Sequence, residues 1–267
     1  MKSFTSAQLD AIQAVSGKWP DQGIVLVGAS ALTCWMDMNW RQTQDLDLSL
    51  AVDIEEMGTG LATLPGWRQD AWKEHEWHAP GDVKVDVIPS GHRHLTHGSV
   101  RWPRSGFVMS LLGFRLAVEA SEPVALGANL VLRVAPLPVL LLLKSASYLD
   151  RPSERRRDLD DIAHVLREGI PAEDRMTAET MDAQVSFETA SAFLLGRRLG
   201  ALMDEAERSL LETFLAKARD ARDADQTLAW LERSLLRNAD DESESALPLL
   251  AALEAGLSGP ELTSIAP

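Results

Sequence analysis

Residues 45–50 read DLDLSL, in which a short polar side chain alternates with leucine. Strict alternation is the period of a β-strand with one buried and one polar face, because successive side chains point to opposite sides of a sheet. Asp45, Asp47 and Ser49 then share one face, with neighbours on that face ~6–7 Å apart. A strand of this kind predicts a sheet whose polar side concentrates carboxylates.

The stretch 82–88, DVKVDVI, alternates in the same way, with its valines on one face and Lys84 and Asp86 on the other. If the two strands are neighbours with their apolar faces on the same side, Asp86 lies beside Asp45 and Asp47. Three carboxylates in one small volume repel each other unless a cation is present. Their hard oxygen ligands suit Mg²⁺ bound together with substrate phosphates. Lys84 is expected to pair with Asp86.

A glycine turn precedes these acids. Residues 23–28, GIVLVG, form a short β-branched run bounded by glycines, and the pattern predicts a buried strand that ends at Gly28 and leads into a helix. Such a turn exposes backbone N–H groups and the hydroxyl of Ser30 at a helix N-terminus, where a phosphate is favoured. The alternative is an ordinary strand–helix turn in which Ser30 caps the helix.

The pattern along the chain changes at Pro136. Before it, short strand-like runs and helices follow one another, and after it the sequence is rich in Ala, Leu, Glu and Arg at helical spacing. We therefore expect an α+β N-terminal domain over residues 1–135 and a helical domain over residues 136–267. The acidic, Ser-containing start of the tail predicts a partly flexible C-terminus.

Composition restricts the environment and the partners. The net charge of −14 disfavours broad electrostatic binding of nucleic acid, so any such contact must be local. Cys34 is the single cysteine, which excludes an intrachain disulfide and suits a reducing cytoplasm. The chain has neither a signal-peptide pattern nor an apolar run of ~20 residues. We expect a soluble cytoplasmic protein without a membrane partner.

Four motifs stand in an order that resembles the DNA polymerase β-like nucleotidyltransferase superfamily. They are G-A-S-A-L from Gly28, R-x-T-x-D-L-D-L from Arg41, V-K-V-D-V-I from Val83, and LLLLKSASYLDRPSERRRDLDDI at residues 140–162. Within that superfamily the chain is most similar to the AbiEii family, the nucleotidyltransferase toxins of type IV toxin–antitoxin systems. The resemblance covers roughly residues 20–170 and depends on the order and spacing of the motifs.

The resemblance implies a polymerase β-like palm, a mixed sheet with flanking helices, in which three carboxylates hold a nucleoside triphosphate through Mg²⁺ or Mn²⁺. By position, Asp45 and Asp47 are metal ligands, and Asp86 is the third carboxylate, which helps to deprotonate the acceptor. Gly28 and Ser30 hold the phosphates. One metal ion activates the acceptor hydroxyl, and the other stabilises the departing pyrophosphate.

The helical motif completes the implied site. Lys144 neutralises the triphosphate, and Asp158 and Asp161, which share a helix face at i and i+3, orient Lys144 or the nearby arginines. The other implied nucleotide-binding residues are Ala29, Arg41, Thr43, Arg151 and Arg157. At Ala29 the sequence departs from the family pattern, which has glycine there. If that position needs a positive φ, alanine costs about 1 kcal/mol or more.

The leading interpretation is a metal-dependent nucleotidyltransferase that moves a nucleoside monophosphate from an NTP to a hydroxyl acceptor, either a tRNA 3′ end or a protein. The toxin role and a cognate antitoxin partner follow from the resemblance alone. One alternative is a small-molecule adenylyltransferase of the aminoglycoside-modifying kind, whose polycationic acceptors fit an acidic helical domain. The other is a nucleotide-binding regulatory protein without turnover, against which the three intact carboxylates weigh.

Tryptophans lie among cations in the segment 67–104, where they could stack on an RNA acceptor or pack in the protein interior. They are Trp67, Trp72, Trp77 and Trp102.

Overall fold

The computed structural model describes residues 4–40, 43, 45–236 and 245–258. The chain divides into two compact units, Met1–Pro136 and Leu137–Pro267. The first unit contains every described strand, and the described elements of the second unit are all helical. The predicted α+β class, with a mixed sheet and flanking helices, is confirmed.

The first unit is built on a mixed sheet. Its strands are β1 Ile24–Val27, β2 Leu46–Leu50, β3 Arg68–Gln69, β4 Glu76–Ala79, β5 Val83–Pro89, β6 Ser99–Arg101, β7 Val108–Ser110, β8 Glu122–Gly127 and β9 Leu130–Val134. Its helices are α1 Ser6–Lys18, α2 Gly28–Trp35, α3 Ile54–Ala62, α4 His92–His97 and α5 Phe114–Glu119. Seven strands form one sheet in the order β3-β4-β5-β2-β1-β9-β8, and β6 pairs with β7 separately.

The centre of this sheet is apolar for the reason that the sequence pattern predicts. All four residues of β1 are buried, as expected of a β-branched run covered on both faces. In β2 the leucines Leu46, Leu48 and Leu50 are fully buried and fix the register of the strand. Strand β2 is antiparallel to β1 and parallel to β5. The two acid-bearing strands are therefore direct neighbours.

Local signals explain where the flanking helices begin and end. Thr5 caps α1 by accepting a hydrogen bond from the Gln8 backbone N–H, and the Gln8 side chain accepts one from the Thr5 N–H. This reciprocal capping box satisfies two N–H groups that a helix start otherwise leaves without partners. The apolar face of α1 then buries Ile12 and Val15, as the helical spacing predicts.

The second unit consists of helices. They are α6 Leu137–Asp150, α7 Arg156–Glu168, a 3₁₀ turn at Ala172–Asp174, α8 Ala178–Asp182, α9 Phe187–Gly200, α10 Glu205–Arg219, α11 Thr227–Leu236 and α12 Leu247–Leu257. The tail predicted to be partly flexible is residues 239–267. Its residues 239–244 and 259–267 lie outside the described residues, and α12 occupies most of the part between them. Within the described ranges, no helix combines the length and the apolar character needed to cross a bilayer.

Candidate active site

The pairing of β2 with β5 brings the predicted acids together. Asp47 lies directly opposite Asp86 in the parallel register. Asp45 immediately precedes β2, and its Oδ2 lies 3.2 Å from the Nζ of Lys84, two residues before Asp86 on the same face of β5. The side chains of Asp45, Asp47 and Asp86 therefore meet on one side of the sheet.

Asp86 is the most deeply placed of these acids. Burial, reinforced by the neighbouring Asp47 carboxylate, raises the pKa of Asp86 to about 7. Its Oδ1 is buried and accepts no hydrogen bond among the described residues. A buried carboxylate oxygen without a partner, beside another carboxylate, is an environment that a cation would stabilise.

A fourth carboxylate, Glu76, lies on the same face and was missed in the sequence. Strand β4 is antiparallel to β5, and Glu76 lies opposite Asp86. The Glu76 side chain is buried and contacts the Nζ atoms of both Lys73 and Lys84, at 3.1 and 3.2 Å. Its position depends on which strand pairs with β5. The alternation of β4 alone could have shown only that Glu76 and His78 share a face.

Lys84 contacts different partners from the one expected. Its Nζ lies 3.2 Å from Asp45 Oδ2 and 3.2 Å from Glu76 Oε2, whereas the sequence suggested a pair with Asp86. Asp86 nevertheless acts on it electrostatically. Burial alone would lower the pKa of Lys84, but the charges of Asp86 and Asp45 outweigh burial and hold the pKa above its ordinary value.

The turn between β1 and α2 supports the Asp47 side chain. Gly28 has a φ of +65°, and a Cβ atom at this position would lie 2.2 Å from Asp47 Oδ2. Both the left-handed backbone and the close approach therefore require glycine here. Ala29 lies inside α2 and is absent from the positive-φ residues of the described chain, so the strain considered for this alanine does not arise.

Ser30 joins the turn to the acid-bearing strand. Its buried hydroxyl donates to the Val27 carbonyl oxygen at 3.3 Å and accepts a hydrogen bond from the Asp47 N–H, also at 3.3 Å. It does not cap α2, whose N-cap residue is Val27. The structure thus gives Ser30 a role in fixing the backbone at Asp47, and phosphate binding by Gly28, Ala29 and Ser30 stays a prediction.

The predicted residues of the second unit form a cluster of their own. The Nζ of Lys144 lies 2.7 Å from Asp158 Oδ1 and 2.9 Å from Asp161 Oδ2, and both aspartates are buried. Burial opposes ionisation of Asp158, but the Lys144 ammonium outweighs it and lowers the pKa of that carboxyl. The two aspartates hold Lys144, which is the geometry that the sequence motif implies. Contact of Lys144 with a triphosphate stays a prediction.

Four further residues are predicted to bind the nucleotide. Thr43 lies in the irregular segment ahead of β2, and Arg41 lies outside the described residues. Arg151 contacts Asp150 and Glu154, each at 3.4 Å. Arg157 is an exposed residue of the first turn of α7. Their roles in nucleotide binding stay predictions.

The tryptophans divide into two groups. Trp67, Trp77 and Trp102 are buried and pack in the first unit, as the packing interpretation expects. Trp72 is 89% exposed, in a turn where Asp70 Oδ1 accepts hydrogen bonds from the Trp72 and Lys73 N–H groups. Stacking on an RNA acceptor stays a prediction for Trp72.

Asp70, Glu76 and His78 form a second group with metal-ligand chemistry. One ligand atom from each lies within 4.8 Å of the others. The same Glu76 carboxylate also contacts two lysine ammonium groups, and a metal ion there would face their repulsion.

The Asp45–Asp47–Asp86 face fits a divalent cation better. Its three side chains offer only carboxylate oxygens, including the buried Oδ1 of Asp86, which has no hydrogen-bond partner among the described residues. The absence of a side chain at Gly28 lets the Asp47 carboxylate lie against the turn, where a Cβ would be 2.2 Å from Oδ2. Hard oxygen donors of this type match the preference of Mg²⁺ and Mn²⁺.

Comparison with known proteins identifies the class. Residues 20–241 match the sequence model of a nucleotidyltransferase family, so the protein is a nucleotidyltransferase. That family is described as the nucleotidyl transferase AbiEii toxin of type IV toxin–antitoxin systems, and the chain belongs to it. The resemblance inferred from the four motifs is therefore confirmed.

Among solved structures, the chain is similar to an antigenic nucleotidyltransferase-like protein from Paracoccidioides brasiliensis. The two share 16% identity and a TM-score of 0.42, over 74% of this chain and 91% of the other. No curated protein matches the sequence.

Proposed function

We propose that this nucleotidyltransferase moves a nucleoside monophosphate from an NTP to a hydroxyl acceptor, with Mg²⁺ or Mn²⁺ bound by Asp45, Asp47 and Asp86. The observation that carries the proposal is the pairing of Asp47 with Asp86 across β2 and β5, where the buried Asp86 Oδ1 has no hydrogen-bond partner in the described part of the chain. The first unit is then the catalytic domain. Divalent cations bound there supply Lewis-acid charge to the triphosphate and to the acceptor oxygen.

The reaction needs an in-line displacement at the α-phosphorus. The acceptor oxygen forms a bond to that phosphorus, and the bond to the bridging oxygen of the β-phosphate breaks, so pyrophosphate leaves with the electron pair. We assign the acceptor proton to Asp86, whose Oδ1 is buried and whose pKa burial raises to about 7. Ser30 keeps the Asp47 backbone in place through its hydroxyl, and the N–H groups at the start of α2 face the phosphates.

The acceptor we propose is a tRNA 3′ end or a protein hydroxyl. The compartment we propose for the reaction is the cytoplasm. The net charge of −14 favours local contact with an RNA end over a broad nucleic-acid interface. The family description supports a toxin whose activity a cognate antitoxin restrains.

The direct test is transfer of label. The purified chain is incubated with each α-³²P-labelled NTP, Mg²⁺ or Mn²⁺, and total tRNA, with EDTA and the Asp47→Asn variant as controls. Label on tRNA that EDTA and Asp47→Asn both abolish is the expected result. Label on a protein hydroxyl would identify a protein as the acceptor. Label on an added aminoglycoside would instead support the small-molecule adenylyltransferase. NTP binding without transfer to any acceptor would contradict turnover and favour a regulatory protein.

A further inference from the structure

Among the described residues, the acidic face has four carboxylates and the ammonium of Lys84, and the more exposed Lys73 contacts Glu76 as well. Asp47, Asp86 and Glu76 lie side by side on β2, β5 and β4, and Asp45 and Lys84 occupy the next positions along the same face. Two positive charges against four negative charges leave an excess of negative charge. Since Lys84 is the lysine that contacts Asp45, its position decides whether Asp45 remains available to a divalent cation.

The two contacts of Lys84 differ in how firmly they are held. Its Glu76 partner is buried and also contacts Lys73, whereas its Asp45 partner is 48% exposed and immediately precedes β2. Both contacts of Lys84 have a length of 3.2 Å. Solvent can replace Lys84 at Asp45 more readily than at Glu76, because a buried charge without a partner is costly. The Asp45 contact is the one that can open.

We propose that Lys84 is an internal competitor of the divalent cation at Asp45, and that Glu76 sets the strength of this competition. Without a divalent cation, the Lys84 ammonium neutralises Asp45. When a cation binds, Lys84 gives up Asp45 and stays with Glu76. This inference depends on the proposed function, since it takes Asp45 as a metal ligand, and it adds Lys84 and Glu76 as positioning residues, a role that the family resemblance assigns to neither.

The sign of each substitution follows from charge. Lys84→Met removes a positive charge next to the cation and frees Asp45, so divalent-cation affinity should rise. A unit charge about 5 Å from a divalent ion changes its binding by about tenfold at a solvent-like dielectric constant. Glu76→Gln removes the anchor that draws Lys84 away from Asp45, so affinity should fall by a similar factor. Two neighbouring substitutions therefore have opposite effects.

Lys73 provides the matched control. Its Nζ contacts the same Glu76 oxygen as Lys84, at 3.1 Å, but its side chain is 59% exposed. Lys73→Met removes the same charge without freeing Asp45, and solvent and salt screen the remaining effect. We expect less than about a twofold change in Mn²⁺ affinity for this variant.

The experiment is Mn²⁺ titration of the full chain by electron paramagnetic resonance at fixed ionic strength, for the wild type and the three variants, with circular dichroism to check folding. Tighter binding in Lys84→Met, weaker binding in Glu76→Gln and no change in Lys73→Met support the inference. Equal affinity in all four proteins overturns the inference while the proposed metal site stands. A wild type that binds no Mn²⁺ overturns both. If Lys84→Met does not fold, Glu76→Gln decides, because an unchanged or tighter affinity in that variant contradicts the competition.

Discussion

The lysine of the acidic face and Lys144 of the second unit each contact carboxylates, but the two clusters differ in what balances their charge. In the second unit, Lys144 lies between Asp158 and Asp161, and all three side chains are largely buried. In the first unit, Lys84 contacts two of the four carboxylates, Asp45 and Glu76, and Asp45 remains half exposed.

The two clusters therefore differ in how far their internal cations neutralise their carboxylates. The Lys144 cluster joins α6 to α7, and the i, i+3 spacing on α7 places both aspartates on the same ammonium. Among the described residues, the carboxylates of the acidic face outnumber its lysines, and the buried Oδ1 of Asp86 has no hydrogen-bond partner. Substitutions in the two clusters should therefore affect different properties of the protein.

The largest expected effect is on activity at the acidic face. Asp47→Asn removes a metal-ligand charge, and transfer of label should fall by roughly a thousandfold. The free energy of unfolding should stay the same or increase, because the substitution relieves repulsion between Asp47 and Asp86. Initial-rate assays and urea denaturation measure the two quantities. If Asp47→Asn keeps most of the wild-type activity, the acidic face is not the active site.

The next largest effect on activity is expected at Gly28, whose backbone lies against the Asp47 side chain. Gly28→Ala introduces a Cβ that would lie 2.2 Å from Asp47 Oδ2 at a φ of +65°, so activity should fall by at least about tenfold as the carboxylate is displaced. Gly98→Ala is the matched control, because Gly98 has the same φ and nothing within 4 Å of the added atom.

Both glycine variants should lose about 1 kcal/mol of stability from backbone strain, and only Gly28→Ala should lose activity. Thermal unfolding and the transfer assay together separate the two effects. Equal activities in the two variants would show that the close approach of Gly28 to Asp47 does not matter for catalysis.

Substitution in the Lys144 cluster should change the stability of the protein. Lys144→Met leaves two buried carboxylates without their shared cation, and the free energy of unfolding should fall by about 3–5 kcal/mol. Arg222→Met is the control, because this arginine is 94% exposed and contacts Asp220 at 3.7 Å, so its removal should cause no measurable change. If both variants unfold at the same urea concentration, the Lys144 cluster does not stabilise the second unit.

The smallest effect concerns pH. Burial, with the nearby Arg167 charge, lowers the pKa of His164 from 6.5 to about 4. The unfolded chain therefore binds more protons than the folded chain between these values, so stability is complete above pH 6.5 and decreases as the pH falls towards 4. His164→Gln should flatten this slope, which corresponds to at most about 3 kcal/mol. Urea denaturation between pH 4 and 7 measures how the free energy of unfolding depends on pH in the wild type and in His164→Gln. The same pH dependence in both proteins would contradict the lowered pKa of His164.

The alternation of β2 and β5 predicted the acidic face because each strand needs one buried side, and the leucines of β2 admit only one register. The contacts of Lys84 and Glu76 could not be predicted, since they depend on β4 lying next to β5 and on side-chain reach. Strands β6 and β7 have three residues each, which is too short for a period to be recognised. The role of Ser30 follows from a hydrogen bond to a residue seventeen positions away.

The most direct test of the metal site is anomalous diffraction from crystals grown with Mn²⁺ and a non-hydrolysable NTP analogue. We expect a peak about 2.1 Å from carboxylate oxygens of Asp45, Asp47 and Asp86. A peak only at Asp70, Glu76 and His78, or none in the first unit, would contradict the assignment.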